Sequence, residues 1–155
     1  MTNIIINNLP ILVVLTPLMM SLIVVLISNN FLSWLLTLFT TLITFIFSLL
    51  LYQEVYLHTA ISYALGNWVP PLGIEYLIDK VSIIPIIIIA LISFLATFFA
   101  SKIMPAEINN SSISKVYSLW LLAIAGLIGL VTTGDAFNLF VFLEISSLAS
   151  VALVA

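Results

Sequence analysis

The sequence predicts an all-α membrane protein of about five transmembrane helices with one extracytoplasmic β-hairpin loop. Three observations predict it. Hydrophobic residues fill 64% of the 155 positions and charged residues only 6%, with three Lys, no Arg and six acidic side chains. A water-soluble domain of this length needs far more charge at its surface. Four apolar stretches reach or approach the roughly 20 residues that cross a bilayer: 11–28, 31–52, 81–103 and 114–132, with a fifth at 136–155. The connection 53–80 has another character, alternating with a period of two on both sides of a Gly/Pro-rich turn.

Each element has its own signal. The N-terminus, MTNIIINNLP, has no cation before Lys80, and no small-residue cleavage site closes the apolar run after it. It reads as a retained helix rather than a signal peptide. Pro10 stands at the start of this helix and Pro17 lies inside it, where packing must offset the lost hydrogen bond. Only Ser28-Asn29-Asn30 separates the first two stretches, which makes them an antiparallel pair. In the loop 53–80, Ile61, Tyr63 and Leu65 alternate with Ser62 and Ala64; after GNWVPPLG, Ile74, Tyr76 and Ile78 alternate with Glu75 and Leu77. That is a hairpin with one apolar face. The second long loop, Met104 to Ile113, is polar and irregular. Lys102 and Lys115 flank it while Lys80 alone lies beside the hairpin, so the positive-inside rule turns that loop to the cytoplasm and the hairpin outward. Trp34, Trp68 and Trp120 suit the aromatic belt at the membrane boundary.

Composition excludes several function classes. Without Cys there are no disulfides and no thiolate metal sites, and a single His, His58, makes no ligand cluster. Iron–sulfur and haem chemistry is not expected here, and the expectation is no cofactor and no metal. The acidic balance, three Lys against six carboxylates, is not the footprint of a nucleic-acid binder. The partner that composition does require is a lipid bilayer.

The residue that calls for explanation is Glu144. It sits within FNLFVFLEISS, with no Lys nearer than Lys115. From Gly134-Asp135, where the fifth helix should start, it lies nine residues in, about 13 Å at 1.5 Å per residue. A carboxylate at mid-membrane costs about 2.5–3.5 kcal/mol on insertion scales, and its surroundings favour the neutral acid unless a cation is near. Such a group suits a proton relay; the plain alternative is a neutral Glu144 bonded to a neighbouring helix. Asp135 follows Thr132, Thr133 and Gly134, and reads either as a helix cap or as a proton-uptake group. Asn138, one turn on, shares that cap network or lines a polar path. Asp135 and Glu144, nine residues apart, fall on opposite faces. Ala125 with Gly129, and Ser146 with Ser150, make two small-xxx-small pairs that let the last two helices pack closely.

The stretch TGDAFNLFVFLEISSLASVALVA resembles the start of the core segment in the proton-conducting antiporter-like family. That family includes the D subunits of Mrp-type cation/proton antiporters and the antiporter-like subunits of respiratory complex I. The run TGD-x-FN-x-FVF-x-E is closest to the Mrp D branch, and GNWVPPLGIEYLIDKVS is similar to the family's outer hairpin and third helix. The resemblance covers about 61–155; it departs at Ala136, where Leu is common in the family. It implies that Glu144 is the fifth-helix glutamate, paired with a lysine on a later broken helix, and that Asp135 is the Asp of the Gly-Asp dipeptide. Family members have about fourteen transmembrane helices, so 1–155 would be a single incomplete transmembrane domain, the first part of a longer subunit.

Three functions then compete. The first is a proton-translocating subunit, not itself an enzyme, of a multisubunit Na⁺/H⁺ antiporter in the plasma (inner) membrane, with other subunits, protons and Na⁺ as partners. The second is a membrane-arm proton-pumping subunit of an NADH-quinone oxidoreductase or membrane-bound hydrogenase. The third is a structural fragment with no transport of its own.

Overall fold

A computed structural model describes residues 6–68 and 73–155. The order is α1 (Leu9–Val24), α2 (Asn30–His58), β1 (Ala60–Ala64), a 3₁₀ turn (Leu65–Asn67), β2 (Glu75–Asp79), α3 (Ile83–Glu107), α4 (Ile113–Thr132) and α5 (Ala136–Val154). Four helices, α2 to α5, are long and apolar enough to cross a membrane, while α1 has 16 residues. The first helix is thus shorter than the 11–28 read from hydropathy. Its coil is extended past Val24 by tighter bonds, from Leu26 N–H to the Ile23 carbonyl and from Ile27 N–H to the Val24 carbonyl. Pro17 is accommodated inside it and is buried.

Two other helices outrun their apolar stretches. Helix α2 continues through Gln53 and Glu54 to His58, where the sequence reading began the loop at 53. Ser48, Leu51 and Val55 are buried at helical spacing, so the core-facing stripe continues although the other faces have turned polar. Helix α3 passes Pro105 and ends at Glu107. One hydrogen bond is lost there, but Met104 and Ile108 still pack against the core.

Strands β1 and β2 are antiparallel, with Ile61 opposite Ile78 and Tyr63 opposite Tyr76 on one face, and Ser62 opposite Leu77 on the other. Tyr76 and Ile78 are buried while Leu77 is exposed, the alternation that a half-buried hairpin requires. Part of its GNWVPPLG turn, residues 69–72, lies outside the described residues.

Helix α4 is the hub, packed against α1, α2, α3 and α5. Its buried side chains include Tyr117, Leu121, Ile124, Ala125, Ile128 and Thr132. Two glycines let α5 approach. A Cβ at Gly126 would stand 2.7 Å from the Ser146 backbone nitrogen, and one at Gly129 would enter the Phe142 ring. Close packing of these two helices therefore rests on Gly126 and Gly129 against Phe142 and Ser146, with Ala125 fully buried beside them.

Trp34 and Trp120 share one hydrogen-bonding partner. Both are half-buried, and both indole N–H groups turn inward to one residue of α3: Trp34 donates to the Thr97 carbonyl at 2.9 Å and Trp120 to Thr97 Oγ1 at 3.0 Å. Inside the membrane segment an indole N–H has to find a protein partner, and Thr97 offers two acceptors. Trp68, on the hairpin, is exposed.

Candidate functional site

The site begins at the turn between α4 and α5, which is stitched to the edge of the hairpin. Gly134 N–H donates to the Glu75 carbonyl at 2.9 Å, and Thr133 forms an isolated antiparallel bridge with Tyr76. On the other strand Ser62 donates from its hydroxyl to the Glu75 carboxylate. The helix after this turn starts with Asp135 as N-cap, its Oδ2 accepting from Asn138 N–H at 3.0 Å. That is the bond expected of an Asp at this position.

Asn138 is buried and completes the cluster. Its Nδ2 donates to Thr133 Oγ1 at 3.1 Å, and its side chain lies near the Tyr76 phenol. Burial pushes the Tyr76 phenol up, and the polar Asn138 side chain draws it partly back. The Tyr76 ring packs on Phe142 one turn further along α5, with centroids 6.4 Å apart. Asp135 and Asn138 are therefore brought together, with Thr133 and Tyr76 as partners. Neither partner was marked by the sequence. Tyr76 was legible only as a core-facing strand residue, and Thr133 only as part of a helix stop.

Glu144 is not part of this cluster. The α5 positions turned to α4 are Asn138, Phe142, Ser146 and Ala149, all buried. Glu144 lies about 200° from Phe142 and from Ser146 at 100° per residue, on the far side of the helix, and is exposed on this chain's surface. Around it on the same face are Phe137, Phe140, Leu148 and Val151, each exposed by 65% or more. The face is a broad apolar surface with one carboxylate in its centre, and no described residue forms an ion pair with it. Two and a half turns of helix separate it from the Asp135 cap. Chemically the arrangement is a titratable group at mid-span, carried by a helix that is fixed along one side and open along the other. Among the described residues no group of three or more His, Cys, Asp or Glu could hold a metal ion.

No protein-family model matches the chain. Among curated proteins, it is 36% identical over 149 residues to the Staphylococcus aureus (strain MRSA252) protein described as "Putative antiporter subunit mnhD2", covering 96% of this chain and 29% of that protein. It is 43% identical over 93 residues to "NADH-quinone oxidoreductase subunit N" of Desulforudis audaxviator (strain MP104C), covering 60% of this chain and 18% of that protein. The chain thus spans less than a third of the length of these relatives. Among solved structures, it matches a chain of the membrane-bound sulfane sulfur reductase (MBS), an archaeal respiratory membrane complex, with TM-score 0.85, 30% identity, and coverage of 94% of this chain and 30% of that one. A chain of the Mrp complex from Dietzia sp. DQ12-45-1b shares the fold, with TM-score 0.78 over 96% of this chain and 27% of that one, at 21% identity.

Proposed function

We propose that this chain, homologous to antiporter-like subunits of multisubunit membrane complexes, belongs to a proton-translocating subunit of a monovalent cation/proton antiporter, with Glu144 in the intramembrane proton path. The observation that carries the reading is the position of Glu144: mid-helix, ringed by apolar side chains, on the α5 face that no described residue covers. A carboxylate so placed is costly unless another group compensates it. The open face is where that group, on another part of the subunit, docks against it. Loss and recovery of one proton by Glu144, coupled to the approach and withdrawal of that cation, moves charge through the membrane.

The antiporter reading is supported by the match over nearly the whole chain to the staphylococcal antiporter subunit. A redox-driven complex is the second reading, favoured by the higher identity, over a shorter stretch, to the NADH-quinone oxidoreductase subunit. In both, the partners are other subunits, and the location is the energy-conserving plasma membrane. Inverted vesicles containing the assembled complex test both readings. Collapse of an imposed proton gradient on adding Na⁺ or K⁺, without an electron donor, supports the antiporter. Proton movement that appears only with an electron donor supports the second reading. Glu144→Gln in a normally assembled complex stops proton movement in either case; undiminished transport would remove Glu144 from the path.

A further inference from the structure

The end of the bundle opposite the hairpin contains a feature that the proton path does not use. Two cavities open beside the junction of α2, α3 and α4. The larger of the two, ≈ 200 Å³, lies between α3 and α4 and is lined by Ala96, Thr97, Ala100, Met104, Tyr117 and Trp120. The other, ≈ 170 Å³, has Asn30, Trp34, Ser101, Pro105 and Tyr117 in its wall. Small side chains at the i and i+4 positions of α3, Ala96 and Ala100, leave the larger cavity open. Its walls are braced, because Trp34 and Trp120 are pinned to Thr97 from two sides.

Tyr117 lines both cavities and is 2% exposed. Its hydroxyl has no hydrogen-bond partner among the described residues, whereas every fully enclosed side-chain polar atom among them has one. The hydroxyl therefore opens onto the cavity space. Leaving such a group without a partner in hydrocarbon is unfavourable. An ordered water is a poor answer in an apolar slot, since it needs 2–4 polar partners of its own.

We propose that the α3–α4 cleft holds one acyl chain of a phospholipid whose ester region accepts a hydrogen bond from Tyr117. The depth fits: Tyr117 is four residues into α4, about 6 Å from its start at 1.5 Å per residue, close below the level where ester groups meet the hydrocarbon. Lys102 and Lys115, near the ends of the same two helices, place positive charge at headgroup height. The shape fits as well. A helix with its side chains is about 10–12 Å across and does not enter slots of this volume, whereas a single hydrocarbon chain does. The aromatic side chains Phe98 and Phe99, exposed on the other side of α3, provide an internal control for ordinary, exchangeable lipid contact.

The test uses the whole assembled complex. It is reconstituted with phosphatidylethanolamine carrying a diazirine midway along one acyl chain, re-extracted and washed in detergent, then irradiated and mapped by peptide mass spectrometry. Lipid held in the cleft labels Ala96, Ala100, Met104 or Trp120 after the wash, while Phe98 and Phe99 lose their label. Ala100→Phe fills the slot and removes the retained label. Tyr117→Phe, which keeps the ring, lowers retention about fivefold, the loss of one hydrogen bond. Equal washout from the cleft and from Phe98 and Phe99 would overturn the proposal. So would a cleft that stays unlabelled while the rest of the complex is labelled, which would mean that a protein segment fills it.

Discussion

Helices α4 and α5 are neighbours of nearly the same length and hydropathy, yet 56% of the α4 span is buried within the chain against 22% for α5. Apolar composition brings both into the membrane; it does not decide which one becomes a hub. Helix α4 meets partners all round and carries no ionisable group between Tyr117 and its end. Helix α5 is held along one side only, and its free side carries the one carboxylate found deep within a span. In a bilayer, where lipid is as apolar as Leu, close packing rather than hydrophobicity drives helices together. Gly126 and Gly129 provide that closeness on one side of α5, and the other side, with Glu144, is exposed on this chain.

The largest effect expected from breaking this division is at Glu144. Glu144→Gln should lower proton-coupled transport by the intact complex about a hundredfold, the scale of a lost proton-transfer group, with subunit abundance unchanged. Closing the tight side comes next. Gly126→Val sets new atoms against the Ser146 backbone, which cannot rotate away, and should destabilise the α4–α5 pair by about 1–3 kcal/mol in thermal unfolding of the detergent-solubilised subunit. The same change at Gly129 meets a Phe142 ring that can turn, and should cost less. At the helix start, Asp135→Ala should cost about 1 kcal/mol. Asp135→Asn keeps the capping oxygen without a titrating carboxyl. Transport retained in the Asn variant makes Asp135 a cap; transport lost with normal stability makes it a proton carrier. Tyr76→Phe, which removes the buried hydroxyl near Asn138, should cost about 0.5–1 kcal/mol.

The smallest effect lies away from both helices. Asp79 accepts from Ser82 N–H at 2.8 Å, Ser82 Oγ at 2.9 Å and Val81 N–H at 3.0 Å. The bonds from Ser82 lead in holding its carboxyl below the usual range. A carboxyl lowered on folding adds stability that is complete above its unfolded value and is lost as pH falls through the folded one. Ser82→Ala should therefore make the junction between β2 and α3 less sensitive to acid, read by hydrogen exchange at Val81 as the pH is lowered.

Much of this was legible in the sequence because its signals are local. The alternation in ISYAL and IEYLI encodes a half-buried hairpin, and Gly-Asp before an apolar run encodes a helix cap. The mid-helix position of Glu144 follows from counting residues. What escaped depends on partners distant in sequence. Gln53 and Glu54 look like a loop until Val55 is seen to continue a buried stripe. Trp34 and Trp120 have the composition of belt residues, and only Thr97, on a third helix, turns them inward. The cluster of Tyr76, Thr133 and Asn138 joins a strand to a helix start, and no spacing rule points to it.

The bond from Gly134 to Glu75 makes the α4–α5 turn a short third member of the hairpin sheet. It works as a mechanical stop. Sliding α5 by one turn, about 5.4 Å, would break that bond, the Tyr76–Thr133 bridge and the Asn138 contacts at once. The height of Glu144 is thus set by a clamp at the end of the helix. In the proposed proton path, Glu144 would then hand on its proton by rotation about side-chain bonds, on a helix that stays still.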